Sequence, residues 1–294
     1  MIKIDPKNTP TGDLHQYLLG SVAPRPIAFA STVDEHGVAN LAPYSFFNAF
    51  SSNPPILVFS SNRRVSNNTT KDTLHNVETT GEVVINVVSY GIARQVAVSS
   101  VEFPSEVSEF EKAGLTPIAS ELVKPFRVKE SPVQMECKVR QIIPLGTGGG
   151  AGNLIVCEVL LMHIDEQILD ENNRISPHKI DLMGRMGRAY YVRASGESIH
   201  TIYQPYLPVC IGFDQLPESI RNSKVLTGNN LGQLAGMAAA PDANAVLALK
   251  EDTAIREALQ AAQPIEELHR LAQKELNKEH TELAAQIAWL GAYL

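Results

Sequence analysis

A chain of 294 residues has room for one large domain or two ordinary ones, and 44% hydrophobic with 19% charged residues is the balance of a globular protein, which excludes a disordered one. No run is long and apolar enough to span a bilayer, and the first six residues lack the basic region and apolar core of a secretion signal, so the expected compartment is cytoplasmic. A formal charge of -7 argues against a nucleic-acid-binding surface, which needs a basic stripe, so an anionic ligand has to be held by a local arrangement.

Taken in chain order, the first two thirds read as strands separated by short helices. Residues 25–33 are largely apolar and end on Asp34-Glu35-His36-Gly37, a turn sequence with glycine where positive φ is needed. Residues 38–44 then run back, which predicts a hairpin. Residues 55–60 and 82–89 are short β-branched runs bounded by polar or proline-rich segments, as buried strands are. Residues 71–80 predict a helix, with Leu74 and Val77 one turn apart, Thr69 or Thr70 as N-cap and Gly81 as the stop. Residues 90–99 and 105–113, the latter ended by Gly114, predict further short helices. Residues 134–143 alternate, placing Met135, Cys137 and Val139 toward a core and Glu136, Lys138 and Arg140 toward water. Residues 153–164 are long enough to pair with them throughout. Cys137 and Cys157 lie in these two strands, where a reduced thiol acts as a small hydrophobe. With Cys210 they make three distant cysteines, which suggest neither a disulfide framework nor a metal knuckle.

After about Tyr203 the β-branched runs disappear and alanine, leucine, glutamate and lysine dominate, which predicts a helical tail. Asp242 is placed to cap residues 243–250, Asp252 or Thr253 to cap 254–262, and Pro264 suits the first turn of a long helix through Trp289. Along that helix Ile265, Leu268, Leu271, Ala272, Leu276, Leu283, Ala284, Ile287 and Leu290 approximate one apolar stripe, interrupted near His280. The stripe has to be buried: against the barrel, across a dimer, or as a cover over a ligand groove.

Residues 146–152 (GTGGGAG) contain a G-x-G-x-x-A pattern, but a dinucleotide fingerprint needs a helix next and here a strand follows. The residues favour a mobile loop between two antiparallel strands, placed to cover a ligand. Ser60-Ser61-Asn62-Arg63-Arg64 leaves one strand, and Thr69-Thr70-Lys71-Asp72-Thr73 opens a helix. Hydroxyls, guanidiniums, an ammonium and free backbone N–H groups suit a phosphate monoester, and a solvated loop with threonine caps explains the same residues equally well. Residues 40–54 crowd Tyr44, Phe46, Phe47 and Phe50 among Ser45, Asn48, Ser51 and Ser52. Such a group can hold a flat heteroaromatic ring, though physical reasoning alone favours core aromatics beside turn polars. The histidines have no metal-ligand spacing and are expected to be satisfied or solvated. No G-x-S-x-G elbow supports nucleophilic hydrolysis.

Seven segments, in order, carry a family resemblance: RPIAFAST (25–32), NLAPYSFFN (40–48), NPPILVFSS (53–61), KDTLHNVETTGEVVINVVS (71–89), SPVQMECKV (131–139), EVLLMHID (158–165) and MGRMGRAYYVR (183–193). Together they resemble the flavin-reductase-like branch of the FMN-binding split-barrel family. The resemblance implies a mainly β fold with flanking helices, an FMN-binding split β-barrel domain at 1–203, with a helical C-terminal extension at 204–294 that it leaves unexplained. It also implies a homodimer with FMN in a groove near the subunit interface. Ser31, Thr32, Ala42, Pro43, Tyr44, Ser45 and Asn48 are then expected near the isoalloxazine ring or ribityl chain. Ser60, Ser61, Asn62, Lys71, Asp72 and Thr73 are expected around the phosphate, and Arg185 and Tyr190 complete the site from the same or the partner subunit. The implied activity is an NAD(P)H-dependent flavin reductase, with NADH or NADPH as co-substrate and a monooxygenase or other electron acceptor as partner. In such an enzyme the cofactor carries the hydride chemistry, so no proton-transfer residue is nominated. The alternatives are a non-enzymatic FMN electron carrier and a flavin-free barrel serving as an interaction module.

Overall fold

The turn after residue 33 closes as its composition dictates. In the computed structural model, which describes residues 1–202 and 209–293, Asp34 Oδ1 accepts hydrogen bonds from the backbone N–H groups of His36 (2.9 Å) and Val38 (2.8 Å), and Gly37 takes φ 85°. The turn joins β1 (Ala28–Val33) to β2 (Ala39–Tyr44) in an antiparallel hairpin. Both faces of β1 are buried, so its residues are small or apolar without a break instead of alternating.

The chain divides into two compact units, Met1–His200 and Thr201–Leu294. The boundary expected between 203 and 204 lies outside the described residues. In the first unit, α1 (Thr11–Ser21) precedes the β1–β2 hairpin, and β3 (Phe47–Ser52) and β4 (Pro55–Ser60) form a second hairpin. They are followed by α2 (Asp72–Thr80), β5 (Glu82–Val87), α3 (Ala93–Val98) and α4 (Glu109–Ala113). The two-residue strands β6 (Pro117–Ile118) and β7 (Arg127–Val128) pair with each other. The long strands β8 (Val133–Pro144) and β9 (Asn153–Ile164) pair throughout, and β10 (Met183–Arg185) pairs with β11 (Tyr191–Arg193).

Seven strands make one antiparallel sheet in the order β2-β1-β5-β8-β9-β4-β3. Its two edge strands, β2 and β3, are separated in sequence only by Ser45 and Phe46. Three Cα steps of 3.8 Å hold the edges within about 11 Å of each other, so the sheet curls into a barrel split between β2 and β3. Ala28, Ala30, Tyr44, Leu57, Phe59, Ile85, Cys137 and Ile155 fill its interior. Phe29 and Leu41 point the other way and pack with Val96 of α3 and Phe110 of α4.

Glu136 departs from the alternation expected of β8. Its side chain is buried and accepts hydrogen bonds from the N–H groups of Glu121 (2.9 Å) and Leu122 (2.6 Å) and from His163 Nε2 (2.8 Å). Burial alone would raise its pKa, but the donors outweigh it and hold the carboxyl below the usual value. The loop that packs over this face lies far away in sequence, so a period-2 reading could not include it. Helix α2 also starts differently from expectation. Lys71 occupies the N-cap with no side-chain cap, while Gly81 ends the helix at φ 68° as expected.

The second unit contains α5 (Glu218–Arg221), α6 (Gly228–Ala235), α7 (Ala243–Ala248), α8 (Thr253–Gln260), α9 (Pro264–Leu276) and α10 (Thr281–Leu290). Asp242 and Asp252 cap α7 and α8 through side-chain oxygens. The single long helix expected after Pro264 is two helices, with Glu279 between them at φ 64°. Leu268, Ala272, Leu276, Ala284, Ile287 and Leu290 from the stripe are buried in the unit's own core with Leu216, Ile220, Leu234 and Trp289. His269 is an exception to the satisfied or solvated histidines: it is buried with Nε2 unpartnered, and burial lowers its pKa. Among the described residues, no helix is long and apolar enough to cross a membrane.

Candidate functional site

The split in the barrel is lined by the end of β2, the Ser45–Phe46 turn and the end of β4. Ser60 N–H donates to Phe46 O at 2.8 Å, which ties the turn to the strand that leads into the basic segment. Tyr44 turns inward and packs on Phe59, with ring centroids 5.1 Å apart and planes at 46°. The Lys71 ammonium lies 5.0 Å from the Tyr44 ring centre. Burial pushes the Tyr44 hydroxyl up to about 12. The Thr73 and Ser61 hydroxyls are close enough to offset part of that rise, yet Tyr44 makes no hydrogen bond of formed geometry. The buried Ser61 hydroxyl is unpartnered as well.

Strand periodicity divides the segment read as one patch. Ser61 shares the face of Phe59 and Tyr44. Ser60 and Asn62 lie on the other face, where Ser60 Oγ donates to Asn62 Oδ1 at 2.7 Å and Asn62 Nδ2 donates to Gly150 O at 3.3 Å. The glycine loop is pinned here. Gly150 N–H donates to Arg63 O (3.0 Å), Arg63 N–H to Ala151 O (2.9 Å) and Asn153 N–H to Ser61 O (3.2 Å), so the end of the loop extends the β4–β9 ladder. Gly152 faces Asn62, and a Cβ there would sit 2.6 Å from Ser60 Oγ.

Beyond the end of β4 positive charge collects on Arg63, Arg64 and Lys71, with Glu102 opposing it. Arg64 Nη1 donates to Thr69 Oγ1 (2.9 Å) and Thr70 O (2.6 Å), and its guanidinium pairs with Glu102. Arg63 bonds Asn68 Oδ1 at 2.7 Å. The lysine–carboxylate pairs among the described residues are Lys138–Glu82 and Lys278–Glu275, and Lys71 has none. Burial lowers the Lys71 pKa, the Arg64 charge adds to this, and Glu102 opposes it. Thr73 and Thr32 are buried and joined through Asn40, whose Nδ2 reaches Thr73 Oγ1 (2.9 Å) and Thr32 Oγ1 (3.1 Å). Asn76 Nδ2 adds a second bond to Thr32 at 3.0 Å. Asp72 sits in the first turn of α2, complementing the helix dipole, and with Asp34, Asn40 and Asn76 it lines a cavity of roughly 200 Å³.

Ser45 belongs to a separate cluster. Its hydroxyl accepts from Arg25 Nε at 3.3 Å, and Arg25 Nη1 donates to Leu19 O at 2.6 Å and to Val22 O, capping the C-terminal end of α1. Arg25 is buried, with Nη2 unpartnered. Burial lowers its pKa, and Arg185 lowers it further. Arg185 pairs with Arg25 through the backbone (2.9 and 2.8 Å) and stacks 4.5 Å from the Tyr191 ring centre.

Thus Thr32, Tyr44, Ser61, Lys71 and Thr73 come together, with Asp72 at the margin, and Ser45 meets Arg185 through Arg25. Ala42 lines the barrel interior, and Pro43 stands opposite Phe29 in the β1–β2 ladder. Among the described residues, no hydrogen bond joins Ser31, Asn48 or Tyr190 to the basic cluster. Ser31 shares the face of Phe29, Asn48 lies on the exposed edge strand, and Tyr190 is exposed. Arg25 and Asn76 were missed as site residues, while Asn40 and Gly152 lay inside the ring patch and the glycine loop without a role of their own. The one signal for Arg25 was a charged residue between two prolines at the head of an apolar strand. Asn76 carries no such signal, because its partner Thr32 is distant in sequence.

The family model for the flavin reductase like domain matches residues 19–186. The chain belongs to this family. The matched region lies wholly within the first unit. An uncharacterized Aquifex aeolicus protein is 43% identical over 191 residues, which is 65% of this chain and 95% of that protein. Among solved structures, nitrilotriacetate monooxygenase component B from Bacillus cereus is 32% identical, with a TM-score of 0.63 over 68% of this chain and 98% of that one. The 2-nitrobenzoate 2-nitroreductase of Pseudomonas fluorescens is 27% identical, with a TM-score of 0.60 over 70% and 98%. These matches cover 95% or more of each relative, leaving in it too few residues for a second unit of the size found in this flavin reductase-like chain.

Proposed function

We propose that the first unit binds FMN, takes hydride from NADH or NADPH, and passes the electrons to an acceptor such as a monooxygenase component. One observation carries the flavin reading: the half-buried Lys71 ammonium has no carboxylate partner among the described residues and stands beside Arg64 and the buried hydroxyls of Tyr44 and Ser61. A buried cation among free donors is costly unless an anion completes it, and the phosphate of FMN is a dianion that accepts several bonds. Lys71, Arg64, Ser61 and Thr73 would hold that phosphate. The Ser45–Phe46 turn, anchored by Arg25, would border the ring.

Bound FMN supplies reversible two-electron chemistry, with hydride arriving from the nicotinamide and electrons leaving to the acceptor. The chain's own residues bind and orient. Lys71 and Arg64 neutralise the phosphate, the Thr32–Asn40–Thr73 network fixes the start of α2, and the Arg25–Ser45 contact sets the turn at the split. The acceptor reading draws support from the relative that is a monooxygenase component. The same reading takes the working form as a homodimer, which sedimentation measures.

An absorbance spectrum of the protein with FMN, taken before and after anaerobic NADH or NADPH, tests the function. Flavin absorption that bleaches with a nicotinamide is the expected result. Tight FMN that neither nicotinamide bleaches removes the reductase activity and leaves an electron carrier. Protein that takes up no FMN removes the flavin reading.

A further inference from the structure

Helix α1 is weakly built. None of its residues is buried, and burial of one face is where most helical stability in proteins comes from. Pro10 stands at its N-cap without a side-chain hydrogen bond, and no basic residue lies in its last turn. Gly12 and Gly20 lie within it, yet a Cβ at either would meet nothing within 4 Å and neither takes a positive φ. No close approach or turn therefore explains two residues that destabilise a helix.

The same helix crosses the split in the barrel. Its 11 residues span about 16 Å and touch three elements in turn. Thr11 lies against the glycine loop, where a Cβ on Gly150 would come within 3.2 Å of its methyl carbon. The His15 ring stands edge-on to Phe46, in the turn between the two edge strands, with centroids 6.2 Å apart and planes at 86°. Gln16 Oε1 accepts from Arg188 Nη2 of the β10–β11 hairpin at 3.2 Å. At the C-terminal end one guanidinium, Arg25, holds both Leu19 O and the hydroxyl of Ser45. These contacts can break without uncovering a core.

We propose that α1 is a lid over the flavin groove, closed in this structure and opening by local unfolding to let FMN enter and leave, with Arg25 as its fixed end. The proposal rests on the FMN reading above. It gives α1 the covering role that the sequence had offered to the helical tail, whose apolar stripe is buried in its own core.

A lid has a kinetic signature that a wall of the site lacks, because it changes entry and exit together and leaves the equilibrium nearly alone. Two variants of the full-length chain push α1 in opposite directions. Gly12→Ala with Gly20→Ala strengthens the helix, and Gln16→Pro breaks it. Association and dissociation rates for FMN are read from flavin fluorescence by stopped flow, and melting temperatures are read without ligand. The double alanine variant is expected to slow both rates about fivefold or more, and Gln16→Pro to speed both about threefold or more. The dissociation constant stays within about twofold in each, as it does when a gate favours neither the free nor the bound state. Rates unchanged in both variants overturn the proposal. A change confined to the dissociation rate overturns it too, since α1 would then be a wall of the site. A ligand-free melting temperature of Gln16→Pro more than about 5 °C below wild type also overturns it, because a helix on which the fold depends cannot open as a lid. Wild-type protein that binds no FMN overturns the flavin reading and the lid with it, a result distinct from the others.

Discussion

The Lys71 ammonium lies 5.0 Å from the centre of the Tyr44 ring, and it has no carboxylate partner among the described residues. Removing it with Lys71→Ala is expected to cost about 1.5–3 kcal/mol of FMN binding, the usual worth of a hydrogen bond to a charged group. Riboflavin binding should change little. Titrating flavin fluorescence with each ligand checks both, and an equal loss for the two flavins would place Lys71 outside the phosphate site.

Lys71 also predicts two pH dependences of opposite sign. Its pKa is lowered from 10.5 by burial first and by Arg64 second. Between the lowered value and 10.5 the unfolded chain binds more protons than the folded one, so ligand-free stability rises with pH across that window. FMN affinity falls over the same window as the ammonium is lost. Lys71→Met should flatten both slopes, which urea melts and FMN titrations at several alkaline pH values would show.

Glu136 governs the acid side. Its folded pKa lies below 4.5, held there against burial by Glu121 N–H, Leu122 N–H and His163. The stability it contributes is fully present above 4.5 and is lost as pH falls through the folded value. Glu136→Gln should destabilise the first unit by about 1.5–3 kcal/mol near neutral pH and remove part of the acid dependence. Urea unfolding at pH 7 and in the acid range measures the difference.

The glycine loop offers an internal comparison. A Cβ at Gly152 meets Ser60 Oγ at 2.6 Å, whereas one at Gly148 meets nothing within 4 Å. Gly152→Ala should cost about 1–3 kcal/mol, as overpacking does. Gly148→Ala should be neutral or stabilising by up to about 1 kcal/mol through the unfolded chain. Equal effects in denaturant melts would mean that the loop is not held against β4 as described.

The helical unit has its own core, in which Leu268 is fully buried. Leu268→Ala should destabilise that unit by about 2–5 kcal/mol and leave FMN affinity unchanged. A parallel loss of FMN binding would show that the two units are energetically coupled.

The sequence by itself determined the parts of this protein whose causes are local. The Asp34–Gly37 turn, the Gly81 stop, the Asp242 and Asp252 caps and the pairing of two long strands each follow from neighbouring residues and a period of two or 3.6. The ordered family segments added the barrel and the flavin reductase-like membership. Only the tertiary structure decided which polar groups meet. Strand alternation sent Ser61 to one face and Ser60 and Asn62 to the other. Packing of α2 on the β1–β2 hairpin brought Asn40 to Thr73, 33 positions away. Burial removed Glu136 from water although its place in the alternation faces outward. Glu279 at positive φ broke a continuous apolar stripe into two helices. Side-chain satisfaction depends on the whole surrounding shell, which no local pattern contains. For that reason the sequence could name Tyr44 and Lys71 as site residues, and only the folded chain could set the unpaired hydroxyl beside the unpaired ammonium.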